Sequence, residues 1–433
     1  MHASLIRRLV RGFCVLALIA GFLTGCKHTR KYDGQLPEGE VALFKLDPSQ
    51  YPDFSQQMTD RAALMRSCDA SMKYLMARSS QNYFPYLDIT HDRALASVNA
   101  LKMVVAKYPA NFDGAAFNSE IKSMFEVYKS KGAPNTDAPG YSEKVLFTGY
   151  FTPVYNTSLT RGGLFQYPLY KRPADLVVDP ATGEVRGRNT GNSMVVPYYT
   201  RAEIEAGNIL AGQELCWVAS RWEAYIITIQ GSARLRLADG KTMEIGYAGL
   251  NGYEYTSPGA QMLADGVISQ EQYSLRGLGR YFAEHPTDMD KYLWLNKRYV
   301  FFTQTTGGPF GSLGVPVTTR ASIAVDKKVD PKKNIYPRAM PAFLTVPMPT
   351  NESGGTTNFR GFLMDQDTGG AIRAAGRCDI YMGVGEAAEK VAGYQLSEGE
   401  LYYIALRPEL IPQYLPVPAT RPVTKPAHPT AAK

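Results

Sequence analysis

From Val145 onward this chain is written in short β-branched and aromatic runs, each closed by Gly, Pro, Asn or Asp. VLFTGYFTPVY, WEAYIITIQGSARLRL, YVFFTQ, ASIAVD, AFLTV, FRGFLMDQD, CDIYMGV and LYYIAL all have this form. Runs so brief and so rich in turn formers predict strands in an antiparallel or barrel architecture. One helical interruption is expected, across SPGAQMLADGVI and SLRGLGRYFAEHP. Residues 46–135 read differently. MTDRAALMRSCDASMKYLMARS and HDRALASVNALKMVVAKY place apolar residues three and four apart, the period of a helix face. The fold class predicted is therefore mainly β with an N-terminal helical portion. A body of about 370 residues exceeds one hydrophobic core, so two domains are expected.

The N-terminus addresses the compartment. Arg7, Arg8 and Arg11 precede an apolar run from Phe13 to Leu23, too short to span a bilayer as a mature helix. It ends in Leu23-Thr24-Gly25-Cys26, which matches the lipobox of bacterial lipoprotein precursors. An ordinary signal peptide that happens to contain a cysteine is the plainer alternative. The lipobox predicts a leader over 1–25, lipidation of Cys26 and a tether over 26–45. Lys27, rather than Asp, follows the cysteine, which points to the periplasmic face of the outer membrane. At the other end, five prolines among the residues from 416 to 433 cannot build a core and read as a disordered tail.

Composition excludes more than it selects. The formal charge is +7, and the leader carries three of the arginines and no acid, so no concentrated basic stripe suggests nucleic acid. Beyond Cys14 and Cys26, only Cys68, Cys216 and Cys378 remain, enough for one disulfide at most. No CxxC or Cys/His spacing suggests a metal, and no cofactor is expected. Nucleophilic triads score poorly: there is no GxSxG, and His28, His91, His285 and His428 sit in poor contexts. The glycine-rich TTGGPFGSLGVP (305–316) lacks the Lys-Ser/Thr of a phosphate loop and reads as a connection between strands.

The segment that carries chemistry runs from Phe362 to Gly385. It holds Asp365, Asp367 and Asp379 among apolar and glycine residues instead of other charges. Carboxylates in apolar, β-rich surroundings lose hydration and keep their protons to higher pH, as a general acid must. The same residues could equally cap turns, since Asp before Gly is common turn chemistry. Asp367-Thr368-Gly369 is also the triplet of aspartic proteases, but those need two such triplets and no second occurs here. Glycoside cleavage fits the composition better. The 28 Tyr and 18 Phe supply rings that stack on sugars, although β-proteins also use Tyr in their sheets.

Several motifs then combine. FTGYFTPVY (147–155), YPLYKRP (167–173), IQGSARLRLADG (229–240), YAGLNGYEYTSPG (247–259), NKRYVFF (296–302), GPFGSLGVPVTTRASIAVD (308–326) and DQDTGGAIRAAGRCDIYMGVG (365–385) occur in this order. Together they resemble the membrane-bound lytic murein transglycosylase A family, with its C-terminal 3D domain named for three aspartates. The resemblance implies a double-psi β-barrel with a second β-rich domain inserted and a glycan groove between them. It implies helical portion and first barrel strand over 46–154, insert over 155–297 and barrel over 298–415. The implied activity is exo-acting lytic cleavage of the MurNAc-β-1,4-GlcNAc bond of peptidoglycan without water, giving 1,6-anhydro products for wall turnover. The family's catalytic Asp falls on Asp379, and Asp367 and Asp326 align with the two supporting ones. Thr148, Tyr150, Thr152, Gln230, Gly231 and Ser232 are candidates for the groove wall, with strand and turn structure as the equal alternative. Implied partners are peptidoglycan glycan strands and a lipid anchor, with wall synthases or scaffold proteins as further candidates.

Two departures stand out. The loop at 230–233 reads Gln-Gly-Ser-Ala where the family usually has Gln-Gly-Ser-Gly, so an extra methyl could tighten a turn or a sugar subsite. KKVDPKKNIYPRAMP, after Asp326, lacks the family's Pro-Xaa-Gly turn. A non-catalytic wall-binding lipoprotein is the competing class, because fold alone does not confer activity.

Overall fold

A computed structural model describes residues 31–416, apart from 110, 136–137, 180–183, 192–193, 327–328, 331–332 and 371. The leader, Cys26 and the proline-rich tail from 417 lie outside the described residues.

The chain enters through strand β1 (Leu43–Lys45) and three helices, α1 (Arg61–Met76), α2 (His91–Lys107) and α3 (Gly114–Met124). Each helix starts where a short polar side chain takes up a free backbone N–H: Asp60 accepts from Ala63, Thr90 from Arg93, and Asp113 from Ala115 and Ala116. The stretch read as a tether does not stay in solvent along its whole length. Tyr32 is 3% exposed, and β1 hydrogen-bonds to β2 (Phe125–Ser130). β2 in turn lies within the zone expected to be helical. Its alternating FEVYKS text has the period of a strand, and the neighbouring helical periodicity masks it.

Arg93 bolts the helical layer to the sheet. It is 1% exposed, and its Nε donates to the Leu406 carbonyl at 2.7 Å. Its Nη1 donates to Asp88 at 2.9 Å, and Nη2 pairs with Glu126 on β2.

β3 (Val145–Thr152) passes through Pro153 into β4 (Val154–Ser158), where a second sheet begins. Its further strands are β5 (Tyr167–Tyr170), β6 (Glu214–Val218), β7 (Ser232–Arg236), β8 (Thr242–Leu250) and β9 (Val300–Thr305). They lie in the order β9-β8-β7-β4-β6-β5, and a bridge from Lys171 to Phe302 brings the two edges together. Helices α4 (Arg201–Ala206), α5 (Arg221–Gln230), α6 (Pro258–Ala264), α7 (Leu275–Glu284) and α8 (Asp288–Leu293) fall between these strands.

α5 corrects the sequence reading, which took WEAYIITIQ as a strand. Ser220 accepts from the Glu223 amide while the Glu223 side chain accepts from the Ser220 amide, a reciprocal capping box. At the far end Gly231 adopts φ 76°, the left-handed conformation that stops a helix cheaply only at glycine. Two good caps outweigh the β propensity of Ile226, Ile227 and Thr228. α6 and α7 fall in the expected helical interruption, and with α4, α5 and α8 added the molecule is mixed α/β and not mainly β.

Returning from the insert, the chain forms β10 (Ser322–Ala324), β11 (Pro341–Pro349), β12 (Thr356–Asp367) and β13 (Arg377–Val384). Helix α9 (Glu386–Tyr394) leads to β14 (Leu396–Leu406). The pairings run β3-β14-β11-β12-β10-β13 and back to β3, so six strands close into a barrel without a free edge. β14 outruns β3 and also carries β2. A cluster of Phe54, Phe343 and Phe362, with ring centroids 4.7–5.5 Å apart, packs the barrel strands β11 and β12 against the N-terminal segment. Cys68, Cys216 and Cys378 are all buried. Among the described residues no helix is long and apolar enough to cross a membrane.

Candidate active site

β10 sets the geometry of the acids. Ala324 pairs with Asp367 of β12 on one side and with Asp379 of β13 on the other. The two aspartates therefore stand level, two strand spacings or about 10 Å apart between Cα atoms. Asp326 follows Ala324 by two residues and is 6% exposed. The barrel thus gathers the three sequence-predicted aspartates around the end of its shortest strand. Asp365 is separated from them: it is fully buried and accepts a hydrogen bond from the Tyr403 hydroxyl at 2.9 Å.

Asp379 and Asp367 differ in what surrounds them. Across the β13–β3 ladder Asp379 faces Thr148, whose hydroxyl donates to its carboxylate. Burial pushes the Asp379 carboxyl above the ordinary carboxylate range, and only Arg377 and the Thr148 hydroxyl oppose it. Arg377 is itself paired with Asp33 at 3.1 Å. Asp367 is also raised by burial, but backbone amides hold it. One of its oxygens accepts from Ser312 N at 2.7 Å and from Thr368 N at 2.8 Å. The Tyr150 hydroxyl lies against the same carboxylate, without the geometry of an ordinary hydrogen bond.

The loop that supplies Ser312 was read as a plain connection. Its signal lay in Gly311, where a Cβ would come within 2.6 Å of the Gln366 carbonyl and 3.1 Å of the Asp367 carboxyl carbon. Only glycine lets the loop approach this closely. Asp367→Asn should keep the loop, because the amide oxygen still accepts both N–H groups. Asp367→Ala should cost on the order of 1–3 kcal/mol, as a hydrogen bond to a charged group does. Thermal unfolding of the two variants checks the difference.

The candidates for the groove wall divide. Thr148 joins Asp379, and Tyr150 lies between Asp367 and Tyr381, with the two tyrosine rings 5.1 Å apart. Thr152 has 0% exposure and shares hydrogen bonds with Tyr381 at 2.8 Å and Ser232 at 3.2 Å. Gln230 accepts from the Phe151 amide at 3.2 Å, and Gly231 is the cap of α5. Thr152 and Ser232 therefore strut the insert against the barrel and face each other, while the part-exposed Gln230 ties the end of α5 to the barrel backbone at Phe151. Ala233, one of the two departures, is buried in the core of the insert, so its methyl reaches no sugar subsite. Beside Tyr381 and Val384 a cleft of about 550 Å³ opens between Gly307–Pro309, Pro316–Thr319 and the Arg66–Lys73 face of α1.

Comparison with known proteins matches this architecture. The family model of the MltA specific insert domain covers residues 146–303, and that of the 3D domain covers 321–405. The membrane-bound lytic murein transglycosylase A of Escherichia coli K12 is 31% identical over 288 residues, 65% of this chain and 70% of that protein. Its namesake from Vibrio cholerae is 30% identical over 281 residues, 63% of this chain and 69% of that protein. In fold, the chain is similar to the Agrobacterium tumefaciens membrane-bound lytic murein transglycosylase. The TM-score is 0.66 at 22% identity, over 86% of this chain and all of that one. Escherichia coli MltA with bound chitohexaose gives a TM-score of 0.63 at 23% identity, over 87% and 99% of the two chains. Insert, 3D domain and full-length relatives agree: this chain belongs to the membrane-bound lytic murein transglycosylase A family.

Proposed function

We propose that this protein is a lytic transglycosylase of peptidoglycan, with Asp379 as its single acid and base. The observation that carries this reading is the inequality of the two carboxylates. Burial raises the proton affinity of both, but Asp379 is held by one hydroxyl donor, whereas two backbone amides occupy an oxygen of Asp367. A glycosidase that uses water or a covalent intermediate needs a second free carboxylate. An internal hydroxyl as nucleophile removes that need, because proximity replaces activation.

The balanced step begins with protonated Asp379 giving its proton to the glycosidic oxygen, so that the MurNAc C1–O4 bond to GlcNAc breaks. The muramyl C6 hydroxyl oxygen forms its bond to C1, and its proton passes to the Asp379 carboxylate. The products are a 1,6-anhydromuramyl end and a free GlcNAc 4-hydroxyl, and Asp379 is again protonated. Thr148 orients the carboxyl; Asp367, by tying down the 307–317 loop, keeps the barrel mouth in shape; Asp326 supports it from the next turn of chain.

The six-strand ring is read as the double-psi barrel, with glycan lying between it and the insert. The bound chitohexaose of the Escherichia coli relative supports a glycan ligand. Anchoring through a lipidated Cys26 at the periplasmic face of the outer membrane, exo action from strand ends and a role in wall turnover complete the proposal. The relatives' name, membrane-bound, agrees with an anchor.

Incubation of the full-length protein with purified sacculi, followed by mass analysis, tests the reading. Products lighter by one water than hydrolytic muropeptides are expected; reducing-end muropeptides would mean a hydrolase, and intact sacculi carrying bound protein a binder. The rate should be highest at mildly acidic pH. Burial raises the Asp379 pKa, so the folded protein holds the required proton above the usual carboxylate range and loses it, and turnover with it, as pH rises through the folded value. A rate that stays flat to pH 9 would overturn the assignment.

A further inference from the structure

Arg298 lies within the insert, two residues before β9, and its guanidinium crosses to the barrel. It packs on the turn that follows Asp367: a Cβ at Gly370 would lie 2.7 Å from its Nε and 2.8 Å from its Cζ. The backbone of Arg298 is engaged, its N–H donating to Asn296 and its carbonyl accepting from Arg201. Its guanidinium has no hydrogen bond and no ion pair among the described residues.

The neighbours explain why. Glu254, the acid whose charge acts on it, pairs with Arg373, whose Nε also donates to the Gly370 carbonyl at 2.7 Å. Arg201 is satisfied by Glu205, Thr228 and the carbonyls of Asn296 and Arg298. The remaining neighbour, Tyr247, offers a half-exposed ring and no negative charge at working pH.

A part-buried cation without a protein acceptor has given up some of its hydration for nothing in return, and that costs stability. The cost falls here at the junction of insert and barrel, three residues beyond Asp367. Gly370 has left the space for it, since any side chain there would push the guanidinium aside. A planar fork with free donors matches a carboxylate bidentately. Peptidoglycan carries that group on one of its two sugars only: the lactyl ether of muramic acid ends in a carboxyl, either free or extended by a peptide that bears further carboxylates.

We propose that Arg298 is a specificity-determining residue that binds the carboxylate of a muramyl residue, and so distinguishes muramic acid from N-acetylglucosamine in the groove. The inference rests on the glycan-cleaving reading of the same site. The recognition sets which sugar lies across Asp379, because only the muramyl C6 hydroxyl on the correct side of the bond yields the anhydro ring.

Binding measured with the full-length protein in detergent, in an Asp379→Asn background that does not cut, separates this from turnover. Three probes are needed: peptide-free muramyl glycan with free lactyl carboxylates, peptide-bearing glycan, and chitohexaose. Arg298→Met should weaken binding of carboxylate-bearing glycan about 10- to 100-fold, as loss of a charge-assisted pair does, and change chitohexaose binding less than about twofold. Gly370→Ala, which displaces the guanidinium without removing it, should weaken the same probes to a smaller extent. Weakening on peptide-free glycan assigns the lactyl carboxylate; weakening confined to peptide-bearing glycan assigns the stem. Equal weakening of all three probes, or none with either muramyl glycan, overturns the inference. A parent that binds neither muramyl glycan overturns the functional reading, and the inference with it.

Discussion

Asp379→Asn should leave less than about a hundredth of parental turnover, the low end of what acid–base catalysis contributes. A hundredfold loss corresponds to about 2.7 kcal/mol of transition-state stabilisation. The amide is nearly isosteric and still accepts from the Thr148 hydroxyl, so the β13–β3 ladder is untouched. It can neither donate a proton to a glycosidic oxygen nor take one from the C6 hydroxyl. Thermal unfolding should therefore be unchanged or slightly raised, because a buried carboxyl has been replaced by a neutral group. Retention of turnover above the hundredfold limit would pass the role to another group. Product formation from sacculi, normalised to protein that co-sediments with them, separates lost chemistry from lost binding.

Arg93→Met should have the largest effect on stability. The side chain is 1% exposed and ties α2 to the Leu406 carbonyl of β14, to Asp88 and to Glu126 of β2. Methionine fills much of the volume but strands Glu126 and the carbonyl. Removing one partner of a buried charged network costs about 3–5 kcal/mol. A chain of this size should show it as a clear fall in the denaturant midpoint and as easier proteolysis of the N-terminal layer. A loss below about 1 kcal/mol, the value of an exposed pair, would mean that Lys45 and Tyr128 carry the acids unaided.

What could be read from the chain, and what could not, follows the range of each interaction. The barrel strands from Ser322 onward were legible because their text alternates and ends at turn residues. Asp367 and Asp379 stood out, with Asp365, as acids in apolar strand text, whereas Asp326 joined them only through the family resemblance. Their arrangement was not legible: Ala324 lies between Asp367 and Asp379 only through a parallel and an antiparallel pairing to distant strands. α5 was misread although its capping signal, Ser220 and Glu223, was in view; the β-branched run outweighed it. The strand at Phe125–Ser130 was hidden because helical text runs up to its first residue. Thr152 and Ser232 looked like groove residues, and only their burial against each other reveals a strut. The isolation of Arg298 required both units in place, since its free donors are defined by partners that other arginines have already taken.

Closure of the barrel has one more consequence. The hydroxyl that holds the acid, on Thr148, and the acid itself, on Asp379, lie 231 residues apart, and the ring is shut only by β14, which comes later still. Contacts so distant in sequence form late. A chain emerging during synthesis thus has no partial version of the proposed site; the pairing of Thr148 with Asp379 is complete only with the last strand. For a protein proposed to sever the wall that surrounds its own cell, the topology is a delay fuse: no fragment short of β14 contains the tool.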